Sequence, residues 1–196
     1  NLTDDGIGVF LIMKGPNRFQ DVKVIDEMVS HIDIFPTLCD LIGIDQPDWL
    51  EGKSLMPLIR EETDYHRDEI FAEVNYHASL EPQRCVRTRR WKYIKRYDDR
   101  QRPVLPNVDN GESKDLWLQS DWNTRTPEDE ALYDLMFDPH EMNNLIQDLQ
   151  HQDVLSDLKN RLQDWMKETD DPLLKGPLVA PPDAILNNPD GMSPSD

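Results

Sequence analysis

Cysteine is nearly missing from this chain. Cys39 and Cys85 are the only two in 196 residues, too few for a disulfide framework and without the close spacing of a metal-binding pair. Each falls in an apolar-patterned segment and reads as a buried free thiol. Glycine is scarce too, eight residues against fifteen prolines, so connections are expected to be long and irregular rather than tight. No stretch approaches the roughly 20 apolar residues of a membrane span, so no membrane partner is expected. Lys and Arg are in deficit, 21 against 39 Asp and Glu. The resulting net charge of −18 argues against nucleic acid as a partner, because phosphate binding needs a basic surface. No internal repeat, no initiating methionine and no targeting segment is visible.

What is present suits a folded chain with a lean core, 37% hydrophobic and 31% charged. The positive charge is concentrated. Between Arg84 and Arg102 ("RCVRTRRWKYIKRYDDRQR") lie nine Lys or Arg and two acids, leaving the remainder of the chain at a net −25. Such an island in an acidic body is a candidate receiver of an anionic ligand. The competing reading has its outward side chains paired with neighbouring acids.

Val9-Phe10-Leu11-Ile12-Met13, closed by Gly15-Pro16, has the form of a strand buried on both faces of a parallel sheet. A chain that opens on such a strand raises the question of what precedes Asn1. "DVKVID" reads as a second extended piece. "SHIDIFPTLCDLIGI" then spaces Ile34, Leu38, Leu41 and Ile42 as a helix does, with Asp33 as N-cap, Pro36 in the first turn and Gly43 as terminator. Three short segments follow, "EIFAEVNYH", "RCVRTRR" and "WKYIKRY", rich in β-branched and aromatic residues and read as strands. In the third, Trp91, Tyr93 and Lys95 share one face. Residues 98–128 form a long connection holding Trp117 and Trp122, a length that is usually functional or wraps the surface. A short strand around Leu132-Tyr133 and a turn at Asp138-Pro139 precede the clearest amphipathic helix, with Val154, Leu155, Leu158, Leu162, Trp165 and Met166 on one face. From Asp171 onward six prolines make a non-helical tail expected to fray.

These segments, in this order, resemble the sulfatases of the alkaline-phosphatase superfamily. "LTDDGIGVFLIMKGP" is similar to the strand after the family's second metal-ligand segment, and "VSHIDIFPTLCDLIGI" to its Ser-His-hydrophobic-Asp-x-x-Pro-Thr helix. "LEGKSLMPLI" is similar to its Gly-x-Ser-Leu-x-Pro-Leu turn, and "CVRTRRWKYIKRY" to its Val-Arg and Lys-Tyr strands. "ALYDLMFDPHEMNNLIQD" resembles its Leu-Tyr-Asp-Leu-x-x-Asp-Pro-x-Glu-x-x-Asn-Leu signature. The ending "WMKETDDPLLKGP" is more similar to heparan N-sulfatases (sulfamidases) than to arylsulfatases at large.

The resemblance implies hydrolysis by a formylglycine made from Cys or Ser in a Cys/Ser-x-Pro-x-Arg motif, with calcium steadying the sulfate oxygens. It also implies that the nucleophile and most calcium ligands lie N-terminal to this portion. No catalytic residue and no metal ligand is therefore expected here, and the chain alone is expected to be inactive. "CVRTR" at Cys85 carries Arg87 where the motif needs Pro and reads as a decoy. Asp4-Asp5 serves the turn into the strand rather than a metal. His31 sits in the helix motif, in an orienting or packing role. His77, in "AEVNYHASLEPQR", occupies a position that faces the cleft in the resembling enzymes, and with Arg84 it is the candidate substrate-binding pair, donating to sulfate or uronate. For Arg87, Arg89, Arg90 and Lys92 a solvated or ion-paired strand face is the better reading.

The fold expected is thus α/β, an α+β fragment: the end of a sulfatase central sheet (residues 1–65), a small antiparallel sheet packed on a long C-terminal helix (66–170) and a Pro-rich tail (171–196). The function expected is that of the C-terminal portion of a sulfatase acting on sulfate esters or N-sulfate groups of a sulfated carbohydrate. Its partners are the missing N-terminal half and that substrate, with a homo-oligomer left open. Two alternatives stand beside it: a non-catalytic module binding anionic glycan through the 84–102 strand, and a phosphonate or phosphate ester hydrolase of the same superfamily. A secreted, periplasmic or lysosomal location follows from the resemblance alone.

Overall fold

The computed structural model describes residues 1–15, 19 and 22–195. The chain divides into two compact units, Val9–Ile70 and a second made of Asn1–Gly8 with the chain from Phe71 onward.

The larger unit is built on a four-stranded sheet in the order β1 (Glu69–Tyr76), β2 (Leu80–Thr88), β3 (Trp91–Arg96) and β4 (Glu130–Asp134). β2 runs antiparallel to β3 with Cys85 opposite Ile94 and Val86 opposite Tyr93, and β3 runs antiparallel to β4 with Tyr93 opposite Leu132. The alternation of strand side chains sorts these residues by face. Val86, Tyr93 and Leu132 point to one side, where Leu155, Leu158, Leu162 and Met166 of the long helix (Gln152–Glu168) cover them. Phe71 stacks on Trp165 beside them, ring centroids 4.9 Å apart and 2° from parallel. Cys85, Ile94 and Ala131 point to the other side and pack on Leu2. The amphipathic helix and the three strands read from the sequence are therefore present, with Trp91 and Tyr93 on the helix-facing side as the period of two requires.

The long connection is not structureless. It holds a 3₁₀ turn at Leu105–Asn107, a helix at Glu112–Gln119 and a second 3₁₀ turn at Trp122–Thr124. The tail differs from its expected fraying. The backbone N–H of Asn187 donates to Ala78 O at 2.7 Å, Arg100 reaches Pro189 O and Asp190, and Lys114 holds Met192 O at 2.7 Å. Past a 3₁₀ turn at Pro172–Leu174 the tail's described residues form no helix or ladder, and side chains of the sheet unit supply the fastening instead.

In Val9–Ile70 the helix motif forms as a 3₁₀ turn (His31–Asp33) running into a helix at Ile34–Ile42, with Pro36 in its first turn and Gly43 ending it at φ +74°. Asp33 does not cap forward. It is buried, and its carboxylate accepts from the Ser30 and Lys53 backbone N–H groups at 2.8 and 2.9 Å and meets the side chains of His66 and Arg67. Gly52 is required beside this knot, because a β-carbon there would collide with the carbonyl of Ile32.

The first expected strand is not formed. Val9, Phe10, Leu11 and Ile12 carry no regular structure and stand exposed, Phe10 at 87%. Strand pairing needs a neighbour to satisfy its backbone groups, and no described strand lies alongside this run. Pro16 and Asp21 lie outside the described residues; the rest of "DVKVID" is likewise irregular, with Val22 and Val24 exposed. The helix Ile34–Ile42 buries Pro36, Thr37 and Cys39, whereas of the four residues whose spacing marked it Ile34, Leu38 and Ile42 are exposed and Leu41 is half-buried.

Candidate functional site

A cleft of about 1390 Å³ opens in the sheet unit around the end of β1, the turn after it and the two-tryptophan connection. His77 lies on its lining, exposed, one residue past β1. The turn that carries it is clamped from two sides. The Asn107 side chain accepts from Ser79 N–H at 2.7 Å and donates to Ser79 O at 3.0 Å, while the Ser79 hydroxyl donates to Asn187 O at 3.0 Å. These bonds fix the backbone of the turn that carries the imidazole. The sequence pointed to His77 as a candidate but gave no sign of the two asparagines that hold its turn, which lie 28 and 108 residues from Ser79.

The structure does not bring Arg84 to the cleft. Its guanidinium is fully buried and every N–H group has an acceptor within the unit. Nε and Nη2 meet the two Asp171 oxygens at 2.5 and 3.1 Å, Nη1 meets Val74 O and Gln83 O, and Nη2 also faces Glu73 at 3.3 Å. This bidentate pair ties the start of the tail to β2.

Five more cations of the basic island are spent in the same manner. Arg87 forks onto Asp4 (Nε to Oδ1 3.1 Å, Nη2 to Oδ2 2.9 Å). Lys92, fully buried, reaches Asp4 at 2.5 Å and Glu141 at 2.8 Å, and Glu141 also accepts from the Asp4 backbone. Arg90 pairs with Asp134, Arg96 with Glu81 and Asp98, and Arg100 with Asp190. Burial raises the Asp4 carboxyl, but hydrogen bonds and charge from Arg87 and Lys92 outweigh it and hold it below the usual carboxylate value. Asp134 is lowered chiefly by its hydrogen bond from Arg90. Asp4 is thus a structural anion that fixes the N-terminal turn (Asp4–Ile7) to β2 and β3.

Cys85 is buried in β2, and burial pushes its thiol up to about 12, far from a reactive thiolate at neutral pH. His31 is exposed at the start of the 3₁₀ turn in the other unit. Among the described residues no group of three or more His, Cys, Asp or Glu side chains is placed to hold a metal ion.

The sequence profile of the N-sulphoglucosamine sulphohydrolase C-terminal family matches residues 2–121, more than half of the chain. The chain belongs to this family. It is similar to an ulvan-active sulfatase of Formosa agariphila, 26% identical over 83% of this chain and 29% of that one. It is also 26% identical to human N-sulphoglucosamine sulphohydrolase, over 87% of this chain and 37% of the human one. Among solved structures, a 2-O GAG sulfatase superposes with a TM-score of 0.55 and 27% identity, covering 76% of this chain and 27% of that one. The chain thus spans roughly a third of the length of these sulfatases, and it has their C-terminal fold.

Proposed function

We propose that this chain forms the substrate-facing C-terminal part of a sulfatase that hydrolyses sulfate esters or N-sulfate groups of a sulfated glycan. Family membership supports the reaction class, and the exposed His77 on its doubly clamped turn is the observation that carries the role within it. An imidazole there donates a hydrogen bond to a sulfate or hydroxyl oxygen and orients the sugar. The formylglycine and the calcium belong, in this reading, to the part of the whole protein that lies outside this chain. No step of theirs is assigned to residues here.

Two alternatives have less behind them. Binding of polyanions through residues 84–102 needs free positive charge, and most of those cations are already paired with acids. A phosphonate or phosphate ester specificity has no separate observation in its favour.

The test is sulfate release by the full-length protein from N-sulfated and O-sulfated glucosamine, with a phenylphosphonate ester as the competing substrate. His77→Ala should lower kcat/KM by about 10- to 150-fold, the range of one lost hydrogen bond to a charged group. The 196-residue chain alone should release none. An unchanged kcat/KM for His77→Ala removes the histidine from the substrate site, and faster turnover of the phosphonate replaces the reaction class.

A further inference from the structure

The cleft beside His77 has the wrong sign of charge for a densely sulfated ligand. Asp5, Asp109 and Glu112 line it without a cationic partner among the described residues, while the carboxylates of Glu73 and Glu81 on the same lining are paired with Arg84 and Arg96. Its lysine, Lys114, is buried and already directed at Leu105 O, Val108 O, Asn110 Oδ1 and Met192 O, between 2.7 and 3.2 Å. Each further sulfate brought to these carboxylates meets like charge at short range.

The same cleft carries two tryptophans. Trp117, 51% exposed on the helix Glu112–Gln119, and Trp122, half-buried on the following turn, have ring centroids 6.4 Å apart and planes tilted by 58°. Large aromatic faces left open in a cleft offer apolar area at low entropy cost. They also attract ammonium groups through the ring quadrupole. Carboxylates around them accept hydrogen bonds from hydroxyl and ammonium groups.

We infer that the two tryptophans and their carboxylates form a subsite for a sugar ring bearing no negative charge, bound best when it carries an ammonium group. This rests on the glycan reading above. It adds that the residue adjoining the sulfated one is unsulfated, so the cleft selects sparsely sulfated stretches or chain ends. The signal was present in the sequence as a tryptophan-bearing connection, but the acids that set its sign come from Asp5 and from the Asp109–Glu112 segment.

Calorimetric titration of this chain tests the inference with three tetrasaccharides, of glucosamine, of N-acetylglucosamine and from heparin. Glucosamine should bind tightest, N-acetylglucosamine next, and the heparin fragment least. Trp117→Ala and Trp122→Ala should each weaken the glucosamine tetramer about three- to tenfold, the scale of one aromatic contact. Asp109→Asn with Glu112→Gln should erase the preference for glucosamine and leave the N-acetyl ligand unchanged. This second pair of substitutions keeps the test decisive if a tryptophan variant loses its native circular dichroism. Tightest binding of heparin, or unaltered affinities in the folded variants, overturns the subsite. Neither result touches the sulfatase reading, which is judged by sulfate release from the full-length protein.

Discussion

Asp4 shows how one residue's role is settled by its surroundings. As half of an Asp-Asp pair it suggests a cation, yet Arg87 and Lys92 already neutralise it and Glu141 holds its backbone. Its carboxyl titrates below the ordinary value of 3.8 in the folded chain. The stability it contributes is therefore complete above that value and is lost as pH falls through the lowered folded one. Asp4→Asn should melt at a lower temperature than the parent at pH 7, and the gap should close as the pH is taken below about 4. Thermal melts followed by circular dichroism between pH 7 and pH 2.5 check this. Arg84 was readable as a ligand-binding arginine because a guanidinium can donate two hydrogen bonds to a sulfate or uronate. Its partner Asp171 is 87 residues away, beyond the reach of any pattern rule.

At the scale of elements, periodicity carried most of what the sequence disclosed. Leu155, Leu158, Leu162 and Met166 recur at helical spacing and all are buried against the sheet. Leu158→Ala should cost about 2–5 kcal/mol, the usual result of emptying a core site, read as a lower midpoint in urea unfolding. The strands were legible for the same reason, since alternation across a sheet with two covered faces separates Val86 from Cys85 and Tyr93 from Ile94. The tail was not legible. Beyond a 3₁₀ turn at Pro172–Leu174 its described residues form neither helix nor strand, and its attachment depends on Arg84, Arg100, Lys114 and Ser79, all far off in sequence. Asp171→Ala takes the bidentate partner from the buried Arg84 and leaves it only the half-exposed Glu73 as a counterion, which should cost about 3–5 kcal/mol. Limited proteolysis should then cut the segment from Pro177 to Pro189 at protease levels that spare the parent.

For the whole molecule, the apolar surface in Val9–Ile70 decides solution behaviour. Ile34, Phe35, Leu38 and Ile42 stand exposed along one helix, and Val9 to Ile12 add a second run. Contiguous apolar surface of this kind associates in water. The isolated chain should bind a hydrophobic dye and grow in mass with concentration in light scattering. Leu38→Glu with Ile42→Glu should reduce both without lowering helix content, because neither side chain is buried.

Local chemistry was enough to determine several things about this protein: the amphipathic helix, the strand faces, Pro36 and Gly43 at the two ends of the second helix, and the family through the order of its motifs. These depend on neighbours a few residues apart, where period and backbone geometry act. Only the tertiary structure decided that Arg84 and Lys92 are buried counterions, that Val9–Met13 forms no strand, that the tail is fastened, and that carboxylates line the same cleft as Trp117 and Trp122. Each of those outcomes turns on charges or ladder partners that meet across tens of residues. Their energy comes from burial and proximity, which exist only once the chain has folded.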